Sequence, residues 1–198
     1  MKFHSIVLLV ALLLAPAVAD AVPPQKPKRP MLLQPLQDEL AGRGEIGKDA
    51  QKALKVGERC MNDDKRWDQA LKDGLPVNDI YEMLQGAVFC WQNAEKKATK
   101  AGEVAKPATD YFAARARYIE SFRTYIWGIE AKLIGDRLST CKRLKTATTE
   151  AGTANTTADG LVEKFTTEDG KILAGATIRS AVDLGTTIAD EYKRQKCE

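Results

Sequence analysis

The chain has 198 residues, of which 29% are charged and 44% hydrophobic, with 14 Gly and 8 Pro. That mixture excludes collagen-like, low-complexity and wholly disordered chains. Lys plus Arg number 30 against 27 Asp plus Glu, a net charge of +3 without the large clustered excess of a nucleic-acid binder, so no nucleic-acid partner is expected.

Met1-Lys2 is a short basic start, Ile6 to Leu14 an apolar run, and Ala17-Val18-Ala19 a small-x-small cleavage site. Residues 1–19 therefore read as a secretory signal peptide cut after Ala19. The apolar run is shorter than the ~20 residues of a bilayer span. No second such run follows, and the C-terminus lacks the hydrophobic tail of a lipid-anchor signal, so the expected mature chain has no transmembrane segment. Cleavage also removes His4, the single histidine. Residues 20–35, with Pro23, Pro24, Pro27, Pro30 and Pro35 among Lys26, Lys28 and Arg29, read as an extended basic leader. Residues 36–198 remain as one disulfide-bridged domain.

From Leu36 onward the spacing is helical, with no sustained period-2 alternation. A first helix is predicted over Glu45 to Lys72, on Ile46, Ala50, Ala53, Leu54, Met61, Trp67 and Leu71, with Asn62-Asp63-Asp64 as a possible interruption. Gly74 and Pro76 stop it. A second starts at Asn78 or Asp79, carries Ile80, Leu84, Ala87, Val88 and Trp91, and fades towards Gly102. A third opens at Pro107 and Thr109. Phe112, Ile119, Ile126 and Leu133 recur in it every seven residues, with Phe122 and Ile129 interleaved, as in a coiled-coil seam. Arg115 and Asp136 share the interleaved row, where the seam should reach water. Tyr111, Tyr118 and Tyr125 repeat beside it and read as an amphipathic shoulder. Thr146 to Gly160, rich in Thr, Ala and Gly, reads as a loop or frayed helix. A last helix follows on Leu161, Val162, Phe165, Ile172, Leu173, Ala176, Leu184, Ile188 and Tyr192, with Gly170 a possible break. The predicted fold is all-α, an antiparallel bundle of three to four long amphipathic helices with two disulfides.

The cysteines are Cys60, Cys90, Cys141 and Cys197, an even count that suits two bridges in an exported protein. Residues equidistant from the turn of an antiparallel helical hairpin sit level, because both arms rise ~1.5 Å per residue. The midpoint of Cys60 and Cys90 is position 75, within the Gly74-Leu75-Pro76 break. Cys141 and Cys197 then pair by elimination, around Asp169-Gly170. The expected bridges are 60 with 90 and 141 with 197.

A mature chain without histidine has no Ser-His or Cys-His pair and no His-containing zinc site, and bridged cysteines offer no thiolate. No Gly-rich phosphate loop or EF-hand spacing occurs, and among 27 acidic residues no pair stands out as acid and base. No enzyme activity, cofactor or metal is therefore expected. Lys96, Lys97 and Lys100, and Lys142, Arg143 and Lys145, read as cations offsetting helix ends. Asn155-Thr156-Thr157 is a glycosylation sequon, placed in an exposed loop.

The Phe112–Leu133 seam, the Thr148–Thr157 Ala/Thr-rich stretch, the sequon and the two expected bridges together resemble trypanosomatid surface glycoproteins of the invariant and variant types, over residues 40–197. The resemblance implies a helical bundle with a long hairpin, few disulfides and glycans at loops. The chain departs from the anchored pattern, having neither a transmembrane segment nor a lipid-anchor signal, which leaves a secreted protein or a truncated member.

The leading expectation is a non-catalytic exported bundle, secreted or at the cell surface, that binds a protein or other macromolecule outside the cytoplasm or builds a coat. Trp91, Tyr118, Tyr125 and Trp127 are its candidate interface, since exposed aromatics favour interfaces. The alternative for Trp127 is packing against a third helix. Alternative functions are a bacterial periplasmic chaperone, inhibitor or stress factor, and a carboxylate-based enzyme.

Overall fold

A computed structural model describes residues 32–197. The expected signal peptide and most of the expected leader lie outside the described residues. The described part is helical, in the order α1 (Gln34–Arg43), α2 (Lys48–Lys72), α3 (Val77–Lys100), a short 3₁₀ turn (Glu103–Ala105), α4 (Lys106–Leu133), α5 (Arg137–Asp159), α6 (Leu161–Lys164) and α7 (Glu168–Arg194). It has no strand among the described residues, and both disulfides pair as expected, Cys60 with Cys90 and Cys141 with Cys197.

The bundle is all-α, with neighbours along the chain antiparallel. Cys60 meets Cys90 between α2 and α3, Ser121 meets Ala147 between α4 and α5, and Gly185 lies beside Ala151 between α7 and α5. Helix α4 is the hub and touches α1, α2, α3, α5, α6 and α7. Its seam residues Phe112, Ile119 and Ile126 are buried, and the main core gathers around them with Trp91, Leu84, Ile80 and Leu54. Burial of these faces is the main driving force for the fold.

Five long helices stand where three to four were expected, because two boundaries differ. Of the loop or frayed helix expected over Thr146 to Gly160, the helix is found: Gly160 is the C-cap, and Thr146 to Asp159 form the C-terminal part of α5. Its buried residues Thr140, Leu144, Ala147, Ala151, Ala154 and Ala158 follow a four-three alternation, a heptad seam written mostly in alanine. The small side chains allow close approach to α4, whose Ser121 hydroxyl donates to the Ala147 carbonyl and whose Gly128 packs against Leu144. The threonines turn their hydroxyls back onto the carbonyl four residues earlier, as Thr149, Thr153 and Thr157 do, and remain inside the helix.

The second boundary lies at Ile134-Gly135-Asp136. Gly135 takes φ +78°, a conformation a side chain would strain. The Asp136 N–H donates to the Ala131 carbonyl and the Gly135 N–H to the Lys132 carbonyl, closing α4. The Asp136 carboxylate then accepts from the Ser139 N–H and opens α5. Asp136 is thus an N-cap rather than a seam residue, and Leu133 projects from the seam into solvent.

Smaller corrections follow from packing. Asn62-Asp63-Asp64 does not interrupt α2. The leader expected over 20–35 overlaps the core at its end: Leu33 is fully buried, its N–H and that of Leu32 donate to Glu58, and Pro35 sits in the first turn of α1. The last helix breaks at Phe165-Thr166-Thr167, and Gly170 lies just inside α7, where the Thr167 side chain caps its N–H.

Candidate interaction surface

The four aromatic residues expected to form an interface do not share a surface. Trp91 is fully buried. Its indole N–H donates to both oxygens of Asp64, at 3.2 and 3.1 Å, and Trp67 donates to the same carboxylate at 3.1 Å. Arg115 completes the cluster with an ion pair to Asp64 and lies against the rings of Trp91 and Tyr118 at 5.6 and 5.1 Å. Arg115 is therefore a partly buried partner of Asp64, not the water-facing end of the seam. Burial alone would lower its guanidinium; Asp64 beside it outweighs this and holds it above the ordinary value. The cluster ties α2, α3 and α4 together.

The tyrosine row is a shoulder of graded burial, with Tyr111 buried and Tyr118 and Tyr125 half-buried. Tyr118, Phe122 and Tyr125 stack in succession and pack on Ala147, Ala151, Leu184 and Ile188. Trp127 faces another side of α4. It is 40% exposed, with Tyr81 of α3 at 6.0 Å and the Arg143 guanidinium stacked on its ring at 3.8 Å. Trp127 thus packs on neighbouring helices and borders an open groove of about 340 Å³ with Arg123, Lys142 and Glu150.

Two other buried charges are also spent on packing. Glu39 of α1 is fully buried and accepts from the Thr166 and Thr167 N–H groups, both at 2.8 Å, from their hydroxyls, and from Arg43. Burial raises its carboxyl, but the two backbone donors and Arg43 outweigh that and hold it at about 2. Glu191 of α7 accepts from Lys132 of α4 at 2.7 Å and pairs with Arg194. Burial again opposes its ionisation, and the Lys132 contact keeps it below the ordinary carboxylate range.

Of the basic clusters, Lys97 and Lys100 sit in the last turn of α3, as the dipole reading requires. Lys142, Arg143 and Lys145 instead follow the start of α5, so they do not offset a helix C-terminus. Asn155 is exposed, on the penultimate turn of α5 rather than in a loop.

The most exposed apolar side chains of the described residues lie where no aromatic was expected. Leu133, Ile134 and Leu138 are 69%, 76% and 84% exposed. They crown the α4–α5 reversal, in a run of seven exposed residues from Lys132 to Leu138. Single exposed leucines need no explanation, but three in six residues at one helix reversal do. A Gly-Asp pair that ends one helix and caps the next was the signal in the sequence; the continuing seven-residue spacing hid it. Among the described residues no group of three or more His, Cys, Asp and Glu side chains could hold a metal ion, and no helix is long and apolar enough to cross a membrane.

No protein-family model, curated protein or solved structure matches the chain.

Proposed function

We propose that the protein is an exported, non-catalytic bundle that acts as a binding or surface component and makes its contact through the α4–α5 tip. Two disulfides are the mark of a chain that folds in an oxidising compartment. The basic start, apolar run and small-residue site at the N-terminus support export. The resemblance to trypanosomatid surface glycoproteins supports a place at the cell surface, and the exposed Asn155 is open to a glycan.

The observation that carries the reading is the contrast between interior and tip. Asp64, Glu39 and Glu191, the buried carboxylates, are each saturated by donors from neighbouring segments and serve rigidity. Leu133, Ile134 and Leu138 contribute nothing to the core and stand in water at a cost that a contact would relieve.

The test is a variant carrying Leu133→Ser, Ile134→Ser and Leu138→Ser, with the labelled oxidised protein titrated onto the cells that export it. Stability should stay within about 0.5 kcal/mol of the parent, as for surface changes. Binding to the cells should fall at least tenfold, while Trp127→Ala changes it less than twofold. Equal binding by the parent and the tip variant overturns the reading. The intact mass of the natural protein tests the glycan: a bare Asn155 removes the glycoprotein part of the proposal.

A further inference from the structure

A groove of about 400 Å³ lies between α2 and α3, lined by Asp49 and Lys52 of the first and by Asn93, Lys96, Lys97 and Lys100 of the second. We propose that it binds a small multivalent oxyanion, a compound carrying two or more neighbouring phosphate or sulfate groups. The inference is independent of the α4–α5 tip.

Helical register builds the groove. Asn93, Lys96, Lys97 and Lys100 follow the spacing i, i+3, i+4 and i+7, one face of α3 over about 10 Å. The Cys60–Cys90 bridge sets the two helices level. Ten residues back along α2 and ten forward along α3, Ala50 stands level with Lys100, so Asp49 and Lys52 meet the lysine row. Asp49 is already paired with Lys52 at 3.2 Å. No ion pair among the described residues engages Lys96, Lys97 or Lys100. Of the other acids close in sequence, Glu95 lies near Arg117 and Asp110 of α4, and neither Glu45 nor Glu103 lines the groove. Four ammonium groups against one carboxylate leave the lining with a charge of +3.

That charge exceeds what the helix end needs. A helix C-terminus carries roughly half a negative charge, and Lys97 and Lys100 in the last turn more than offset it. Like charges three or four residues apart destabilise a helix, and the row holds two such pairs, Lys96 with Lys100 and Lys97 with Lys100. A bound anion turns this repulsion into attraction, and a concave site concentrates the field. The kind of cation selects the kind of anion. No arginine lines the groove, so there is no planar fork for a carboxylate, whereas the compact lysine charge suits phosphate or sulfate oxygens. No aromatic side chain lines it to hold a ring. Three free ammonium groups over two helical turns call for several anionic groups rather than one, and the Asn93 amide adds a neutral donor.

The experiment is isothermal titration of the oxidised protein at low salt with inorganic triphosphate, sucrose octasulfate and orthophosphate. Triphosphate or sucrose octasulfate should bind at least tenfold more tightly than orthophosphate, and the tighter of the two assigns phosphate or sulfate esters. High salt should weaken the binding. Lys96→Gln, Lys97→Gln and Lys100→Gln together should lose at least tenfold. Lys142→Gln, Lys145→Gln and Lys193→Gln together remove the same charge elsewhere and should change binding less than twofold. Asp49→Asn, which frees Lys52, should tighten binding at least twofold. The side-chain amide signals of Asn93 should shift as the parent is titrated. The groove variant should keep its circular dichroism and melt no lower than the parent, because it relieves like-charge pairs. Should it melt lower, Asp49→Asn and the Asn93 signals decide: if neither responds, the proposal is overturned. Absence of binding by both polyanions, or an equal loss in the two triple variants, also overturns it. Binding of polyglutamate with neither oxyanion bound assigns the row to an acidic polypeptide and likewise overturns it.

Discussion

Asp64 shows how much a single side chain can govern in this bundle. It is the one acceptor for two indole N–H groups and a partly buried guanidinium, from three helices. Asp64→Ala would leave the partly buried Arg115 charged and unpaired and two indole N–H groups without their acceptor, a loss of about 2–4 kcal/mol. Urea unfolding should show this, and joining Asp64→Leu to Arg115→Met should recover most of it, since removing both charges also removes the desolvation penalty. Glu39 gives a pH-dependent counterpart. Its carboxyl falls from an ordinary 4.5 to about 2 in the folded chain, so its stabilisation is complete above pH 4.5 and disappears as pH falls towards 2. Two and a half pH units correspond to about 3 kcal/mol. Glu39→Gln should lower stability at neutral pH by up to that amount and flatten the acid limb, read from denaturant midpoints between pH 5 and pH 2. Neither role was legible beforehand. Asp64 and Glu39 look like ordinary members of charged helix faces, and only the neighbours brought by other segments reveal them.

Helix composition explains which elements were readable. Helices α2, α3 and α7 alternate large apolar and charged residues, and their stripes stand out along the chain. Helix α5 buries alanine, whose spacing is regular but whose hydrophobic contrast with threonine and glycine is low. The glycines give a direct check on the packing. A Cβ at Gly57 would lie 2.6 Å from Phe112 and 2.8 Å from Leu33, and one at Gly170 would lie 2.5 Å from Phe165 and 2.7 Å from the Thr167 hydroxyl. Gly57→Ala and Gly170→Ala should therefore destabilise by about 1–3 kcal/mol through overpacking. Gly86 and Gly152, in α3 and α5, have nothing within 4 Å of such a Cβ. Their Ala variants should stabilise by about 0.5–1 kcal/mol, because Ala is the better helix former. Thermal unfolding of the four variants separates the two groups by sign.

The two bridges brace the bundle at separate places, Cys60–Cys90 within the α2–α3 hairpin and Cys141–Cys197 across α5 and the end of α7. They close loops with sequence separations of 30 and 56 residues. In the chain-entropy account loops of that size contribute about 3–4 kcal/mol each. Cys60→Ala with Cys90→Ala, and Cys141→Ala with Cys197→Ala, should each lose about that much in guanidinium unfolding. The second pair should also release the end of α7 from the tip, seen as faster amide exchange over Glu191 to Lys196. Helical class, the turns at Gly74 and Gly102 and the pairing of all four cysteines could be derived from the chain alone, because periodicity, turn chemistry and level arms of a hairpin are local or nearly local quantities. Helix α5, the burial of Trp91 and Arg115, and the apolar tip could not. Each depends on which side of α4 a neighbour occupies, and α4 touches all six other α-helices. A seven-residue spacing marks a face without saying what covers it. Packing covers that face at Phe112, Ile119 and Ile126, and leaves Leu133 in water where the chain turns back.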